Sequence, residues 1–225
     1  MVIPGVGGSG APVRLDFMDP AGAGTGKLLP TGRAVDRFEI DGMGAVEASV
    51  VDAANLCVFV RSHDVGLIGI ELPLQMEANT EALRRLHEIG RHALVAAGAA
   101  PDLAAARSMS LPLISWVASA RDSVDLSGQT IAAWDTDLCV RMLSDGQPHR
   151  ALPMTGSVCT AVAARVPGTV VNQCASVARD STRIAMPSGV IHFGAEFEDR
   201  EGGLHAVRGS VWRTARRLFE GRVCY

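Results

Sequence analysis

Aromatic residues are scarce in this sequence: they make up 4% of its 225 residues, whereas hydrophobic residues make up 48%. The core must therefore be assembled from valine, leucine, isoleucine and alanine, with backbones that approach one another closely. A chain of this length and apolar content can bury one substantial core or two small ones. The composition indicates a globular protein and excludes a disordered one.

The sequence also lacks a strong excess of charge, a long apolar run and a metal or disulfide pattern. Its net charge is −3 at pH 7, so no long-range field attracts phosphate backbones, and we expect no nucleic-acid partner. No apolar run reaches the roughly 18 residues of a membrane helix, and no signal-peptide pattern opens the chain. The five cysteines show no CxxC spacing, which favours a reducing compartment and predicts no metal. We expect a soluble cytoplasmic protein without a membrane partner.

Lysine is the scarcest cation, since Lys27 is the only lysine in the chain. It closes a glycine-rich stretch, residues 22–27, that invites comparison with a phosphate-binding loop. The comparison fails because Leu28 stands where that loop needs Ser or Thr, so we expect no nucleotide. Two interpretations of Lys27 stay open: an acid or base whose pKa is lowered by burial, or a loop residue held in place by turn glycines.

The pattern of apolar residues, with Gly, Pro and Asn at the breaks, predicts a mixed succession of strands and helices. Residues 130–141 mix strand and helix signals. Strands are predicted at 12–18, 36–40, 45–51, 56–61, 113–119, 169–173, 182–186 and 190–193. Helices are predicted at 79–98 and 103–107, from Pro153 to Arg165, and, after a further strand from Ala206, towards Gly221.

The helix that ends at Arg165 is the clearest feature, because its small residues are apolar nearly all round and predict a buried helix. Its start, Thr155-Gly156-Ser157, combines free N–H groups, a favourable dipole and two hydroxyls, which suits a carboxylate. Simple N-capping by Thr155 or Ser157 is the alternative. Cys159, one turn further on, is either a buried structural thiol or one activated by the helix start.

Three weaker features add candidate anion contacts. The turn Ser188-Gly189 between two strands could cradle an anion, although such turns are more often simple bends. His149 and Arg150, just before the buried helix, could supply a cation, although loop cations are usually solvated. A C-terminal arginine cluster has helical spacing, which is typical of a solvated helix face; it consists of Arg213, Arg216 and Arg217.

Several long motifs are spread along the chain. They are Asp19-Pro-Ala-Gly-Ala-Gly-Thr-Gly-Lys-Leu-Leu-Pro-Thr-Gly32, Val51-Asp-Ala-Ala-Asn55, Pro148-His-Arg150, Thr155-Gly-Ser-Val-Cys-Thr-Ala-Val-Ala-Ala-Arg-Val-Pro-Gly-Thr169 and Arg213-Thr-Ala-Arg-Arg217. Together they resemble the PrpF family. The family contains 2-methylaconitate isomerases, methylitaconate isomerases and 4-oxalomesaconate tautomerases, which use no cofactor. The resemblance implies an α+β fold of the diaminopimelate epimerase type, in which β-structure wraps around a central buried helix.

The resemblance further implies that this chain is the C-terminal part of such an enzyme. We expect residues 1–50 to be a linker and remnant of the N-terminal domain, 51–205 to form the C-terminal domain, and 206–225 to return towards the missing domain. The family's acid and base groups belong to the absent part, so Lys27 is not the catalytic lysine. Met154 or Thr155 stands where the epimerase has its second thiol, and Met186 stands where members commonly have His.

The function expected is therefore a proton transfer on an unsaturated di- or tricarboxylate, by double-bond shift or cis-trans isomerisation. The alternatives are an inactive truncated fragment and a remnant that binds polycarboxylates without converting them. Expected partners are a small polycarboxylate and a separately encoded N-terminal domain, and a homo-oligomer stays open. The expected substrate-binding residues are Asn55, His149, Arg150, Thr155, Gly156, Ser157, Ser188 and Gly189, with Lys27 and Cys159 as weaker candidates.

Overall fold

The computed structural model of the chain describes residues 1–176, 181–200, 203–215, 217 and 219–222. Within them the helices are α1 (Pro73–Ala78), α2 (Thr80–Ala96), α3 (Leu103–Ala106), α4 (Met154–Arg165) and α5 (Val170–Cys174). The strands are β1 (Pro12–Met18), β2 (Asp36–Ile40), β3 (Gly44–Asp52), β4 (Leu56–Arg61), β5 (Leu113–Ser119), β6 (Ser123–Val124), β7 (Thr130–Ile131), β8 (Leu138–Ser144), β9 (Gln147–Pro148), β10 (Ser181–Met186), β11 (Gly189–Arg200) and β12 (Gly203–Thr214).

One mixed ten-stranded sheet organises the chain, in the order β1-β12-β11-β10-β8-β5-β4-β3-β2, with β9 paired to β8. The pairs β4–β5 and β8–β10 are parallel, and the other neighbours in this order are antiparallel. One edge of the sheet therefore contains the first residues of β1, β4, β5 and β11. The same edge contains the last residues of β3, β8, β10 and β12. We call this edge the helix-start edge, because α4 also begins there.

Helix α4 lies in the main core, and every residue from Gly156 to Ala164 is buried. Its small side chains allow strands on several sides to approach the helix, as Gly209 of β12 does at Val158. Burial of valines such as Val158 and Val162 stabilises the fold by about 1.5–3 kcal/mol each. The predicted α+β class, with β-structure around a central buried helix, is confirmed.

A second core lies on the face of the sheet opposite α4, where α2 packs on strands β2 to β5. Asn79 caps α2 by accepting a hydrogen bond from the N–H of Ala82. Leu86 and Ile89 are fully buried beneath the helix, as the spacing of apolar residues predicts. Gly98 follows with φ of 72°, the left-handed conformation that ends helices.

Several predicted elements differ from the observed ones. Residues 169–173, predicted as a strand from Val170 and Val171, instead form α5 after Thr169, whose hydroxyl accepts from the N–H of Asn172. The cap outweighed the β-propensity of the two valines. Helix α1 was not predicted. The predicted C-terminal helix is not formed by the described residues after Thr214, and its remaining residues, 216, 218 and 223–225, lie outside them.

The predicted division at residues 50 and 205 stays a prediction. Strand β3 continues across position 50, and β12 continues across position 205. Strands from all three predicted segments belong to the same sheet.

Candidate functional site

The start of α4 has no side-chain cap among the described residues. Pro153 occupies the N-cap position, and proline offers no side-chain oxygen that could accept from the first N–H groups. Thr155 and Ser157 lie inside the helix, so the N-capping alternative for them is wrong. An uncapped helix start keeps backbone donors and the positive end of the helix dipole available to an anion.

Asn55 lies beside this helix start, in the tight loop between β3 and β4. Its Nδ2 donates a hydrogen bond to Oγ1 of Thr155 at 3.3 Å. The preceding Ala54 has φ of 60°, a left-handed conformation that costs a non-glycine residue about 1 kcal/mol or more. The strained loop holds an exposed amide next to the uncapped helix, so Asn55 and Thr155 form a polar pair at the helix-start edge.

Gly156 and Ser157 play a different part from the one expected. A Cβ at Gly156 would lie 2.5 Å from Sδ of Met142 and 3.0 Å from Cδ1 of Leu113. The glycine therefore allows close packing of α4 on the sheet. The hydroxyl of buried Ser157 donates to the carbonyl of Pro153 at 2.9 Å. The geometry does not support direct ligand contact by the Ser157 hydroxyl.

The turn Ser188-Gly189 joins β10 to β11 at the same edge. Gly189 has φ of 129°, which only glycine adopts readily. The hydroxyl of Ser188 is buried without a hydrogen-bond partner in the described part of the chain. The N-terminal segment lies over this turn, because a Cβ at Gly189 would come within 2.8 Å of Pro4 and one at Gly5 within 2.9 Å of Ser188.

His149 and Arg150 stand in contrasting environments. The backbone N–H of His149 donates to the carbonyl of Met142, and the imidazole is half-buried in a narrow gap beside Pro187 and Arg141. Burial lowers the pKa of His149 below its ordinary 6.5, so the ring is neutral near pH 7. It is therefore not the expected cation but a neutral donor or acceptor, whereas Arg150 is exposed.

The glycine-rich loop of Lys27 is organised by a residue that the sequence interpretation missed. Oδ2 of fully buried Asp52, the last residue of β3, accepts from the N–H of Gly24 at 2.8 Å and from the N–H and hydroxyl of Thr25. The loop thus binds a carboxylate of its own chain. The Lys27 side chain is exposed, in line with the loop-lysine interpretation. The signal in the sequence that could have revealed Asp52 is its carboxylate, which stands in the apolar stretch after Val50.

Cys159 is fully buried, and its thiol donates to the carbonyl of Val51 at 3.5 Å. Cys57 lies opposite Val51 in the β3–β4 pair and is also fully buried. Burial raises the pKa of the Cys57 thiol, and the neighbouring Cys159 adds to the effect. These surroundings favour a structural thiol over a reactive one.

Two further arginines differ from the sequence-based expectations. Arg141 is buried and was not considered, and Arg213 is half-buried and was expected in a helix. Arg141 of β8 is 1% exposed, and desolvation lowers its pKa to about 10; it donates to the carbonyls of Glu71 and Ala185. Arg213 lies in strand β12 and is half-buried, so it does not belong to a solvated helix face. Of its expected companions, Arg217 is exposed and Arg216 lies outside the described residues.

The described residues contain no group of three or more His, Cys, Asp or Glu side chains that could hold a metal ion. None of the helices within the described ranges is long and apolar enough to cross a membrane.

Comparison with known proteins gives consistent matches along the chain. A family model described as "PrpF protein" matches residues 1–225. The 3-methylitaconate isomerase of Eubacterium barkeri is 39% identical over 98% of the chain and 58% of its own length. The 2-methyl-aconitate isomerase of Cupriavidus necator is 35% identical over 98% of the chain and 57% of its own length.

A more distant relative and a solved structure agree. The (4E)-oxalomesaconate Delta-isomerase of Novosphingobium sp. (strain KA1) is 30% identical over 98% of the chain and 56% of its own length. A crystal structure of methylitaconate-delta-isomerase matches with a TM-score of 0.88 and 39% identity, over 99% of this chain and 58% of that one. The chain thus spans little more than half the length of the relatives that it matches.

Proposed function

The chain belongs to the PrpF family, and from this premise we propose that it binds an unsaturated di- or tricarboxylate for a proton transfer that shifts or isomerises the double bond. The relatives named above act on methylitaconate, 2-methylaconitate and oxalomesaconate, which are acids of this kind. The proposal needs no cofactor. Because the chain spans about 58% of its relatives' length, the activity of a whole enzyme is part of the proposal.

The observation that carries the proposal is the polar pair at the start of α4. Proline at the N-cap leaves the first N–H groups of a buried twelve-residue helix without a side-chain acceptor. The Asn55 amide, bonded to the Thr155 hydroxyl, lies beside them. Backbone donors, an amide and a hydroxyl at the positive end of a helix dipole together suit a carboxylate without requiring a formal cation.

The same arrangement suits the chemistry of the reaction. Removing a proton from a carbon next to a carbon–carbon double bond leaves an anion whose charge spreads onto the carboxylates. Donors fixed before the reaction stabilise that developing charge, because they need not reorganise as it forms. In this proposal the described residues bind and orient the carboxylates, and the acid and base that move the proton are supplied from outside this chain.

A location in the cytoplasm belongs to the same proposal. It is supported by the free thiols of Cys57, Cys139, Cys159 and Cys174, since a reducing compartment keeps cysteines unpaired.

Binding to the chain itself is the first test. Calorimetric titration with trans-aconitate should give saturable binding, and Thr155→Val should weaken it about tenfold, as expected for the loss of a hydrogen bond to a charged group. Thr80→Val is the matched control, because Thr80 also lies in the first turn of a helix, α2, but is exposed on another part of the molecule. No binding by the unaltered chain would refute the proposal.

Turnover is the second test. Proton NMR in D₂O should follow 2-methylaconitate, 3-methylitaconate and oxalomesaconate with the chain alone and after addition of the remaining part of a relative as a separate polypeptide. Deuterium uptake or isomerisation only in the mixture is the expected result. Activity of the chain alone would show that its own residues move the proton, and binding without exchange in either sample would identify a carboxylate-binding protein.

A further inference from the structure

A cavity of about 200 Å³ opens beside the start of α4. Its wall is mostly apolar and is formed by Ile3, Pro4, Leu152, Met186 and Ile191. Leu152 precedes α4, and Met186 precedes the Ser188-Gly189 turn, so the cavity lies at the helix-start edge. Sδ of Met186 accepts a hydrogen bond from the N–H of Leu152 at 3.4 Å, which joins the two walls.

Arg213 is the charged residue in the lining of this cavity. It follows Val211, a core residue packed with α4, by two positions on β12 and therefore points to the same face of the sheet. Its guanidinium donates to the carbonyl of Trp212 at 3.3 Å and lies 5.7 Å from the centre of the Phe193 ring. No carboxylate of the described residues forms a salt bridge with it.

A half-buried guanidinium without an acidic partner is costly, and burial lowers the pKa of Arg213. It remains charged at neutral pH because an arginine pKa starts above about 12. Guanidinium groups bind carboxylates through two parallel hydrogen bonds. The arginine therefore suits an anion that reaches into the cavity from the helix-start edge.

We propose that Arg213 binds one carboxylate of the ligand, and that the apolar wall beside it accepts a short alkyl group carried next to that carboxylate. The inference rests on the proposed function and adds a specificity determinant to it. A volume of about 200 Å³ holds several heavy atoms, since a water molecule occupies about 30 Å³ in the liquid. A carboxylate with a methyl or ethyl branch fits this space, and the unbranched side chain of Met186 can adapt to it.

The test compares two dicarboxylates that differ by one methyl group, mesaconate and fumarate. Calorimetric titration of the unaltered chain should show that mesaconate binds about fourfold more tightly, as expected for the transfer of one methyl group from water to an apolar wall. Arg213→Met should weaken binding of both acids at least tenfold. Arg107→Met is the matched control, because Arg107 is exposed after α3, and it should leave both affinities unchanged.

A second variant probes the apolar wall without removing the charge. Ile3→Phe should fill part of the cavity and abolish the preference for mesaconate while fumarate still binds. Thermal unfolding would reveal whether Arg213→Met folds. If it does not fold, Ile3→Phe still tests the inference.

The outcomes separate this inference from the proposed function. If both acids bind but Arg213→Met retains full affinity, or if Ile3→Phe keeps the methyl preference, the assignment of Arg213 and its cavity is wrong and the polycarboxylate function stands. If the unaltered chain binds trans-aconitate but neither of these acids, this inference is wrong and the polycarboxylate function stands. If it binds none of the three, both proposals are wrong.

Discussion

The amide of Asn55 and the hydroxyl of Thr155 are hydrogen-bonded to each other although 100 residues separate them in the chain. The contact exists because the β3–β4 loop and the start of α4 reach the same edge of the sheet. Asn55 is exposed and lies outside the core. Under the proposed function, this position next to the strained Ala54 presents the amide to the ligand.

Replacing Asn55 with alanine should therefore affect binding more than stability. We expect Asn55→Ala to weaken trans-aconitate binding about tenfold, as for a lost hydrogen bond to a charged group, with little change in the thermal unfolding midpoint. Calorimetric titration and thermal unfolding monitored by circular dichroism measure the two effects. Gln129→Ala is the control, because Gln129 is an exposed amide in the turn between β6 and β7. An unchanged affinity would remove Asn55 from the site.

Asp52 should matter for stability, because its carboxylate organises the glycine-rich loop. Asp52→Ala removes the acceptor of the Gly24 and Thr25 donors and should lower the free energy of unfolding by about 3 kcal/mol. Thr25→Val removes only the hydroxyl and should cost about 1 kcal/mol. Urea unfolding measures both, with Thr130→Val, at an exposed position of β7, as control. A loss of less than about 1 kcal/mol for Asp52→Ala would contradict this role.

Gly156 should tolerate alanine poorly, in spite of alanine's higher helix propensity. Propensity favours Gly156→Ala by about 1 kcal/mol, but the new methyl group would lie 2.5 Å from Sδ of Met142, and overpacking costs about 1–3 kcal/mol. We expect a net loss in urea unfolding. Met142→Val should relieve the clash with the new methyl group. The double variant should therefore be more stable than the sum of the two single effects predicts. Gly7→Ala, in open space, is the control, and strictly additive effects would argue against the clash.

The sequence predicted the elements whose local signals agree with their surroundings. Strand β1 was predicted to the residue, and α4 was recognised as buried because its small residues leave no polar face. The signals failed where a cap opposed propensity, as at Thr169, where two valines suggested a strand. They also failed for Arg213, whose spacing from later arginines suggested a helix, although β12 sets its direction.

The candidate site was predicted only in part, because it depends on which residues meet in space. Family resemblance selected Asn55 and Thr155, but no local pattern indicates that they touch. Ser157 was a reasonable candidate because it is a hydroxyl at a helix start. Only the structure shows that this hydroxyl donates to the carbonyl of Pro153. Asp52 and Arg141 were visible as charges within apolar strands, but their partners come from segments that are distant in the sequence.

Stability should fall between about pH 7.5 and pH 5.5 because of two histidines. Burial lowers the pKa of His87 and of His149 below the ordinary 6.5. As the pH falls below about 6.5, the unfolded chain binds protons that the folded chain does not, so the stability present above that pH is lost. Urea unfolding at the two pH values should show this loss, and it should be smaller in the His87→Gln/His149→Gln variant.

The control for that pH dependence is His192→Gln, since His192 is exposed on β11. The double variant and this control each change histidine to an uncharged amide. If the double variant lost as much stability as the unaltered chain over the same pH range, the two half-buried imidazoles would not be the cause.

The cysteines provide a direct check on whether Cys159 is a reactive thiol. Cys57, Cys139 and Cys159 are buried, whereas Cys174 is partly exposed. In a Cys224→Ser background, which removes the cysteine outside the described residues, a thiol reagent at about pH 8 should modify Cys174 first, because reaction requires both access and the thiolate. The other three should react only when urea unfolds the chain, as mass spectrometry of the labelled peptides would show. Early modification of Cys159 would mean that the start of α4 opens to solvent, and it would make this thiol a candidate for the proton transfer.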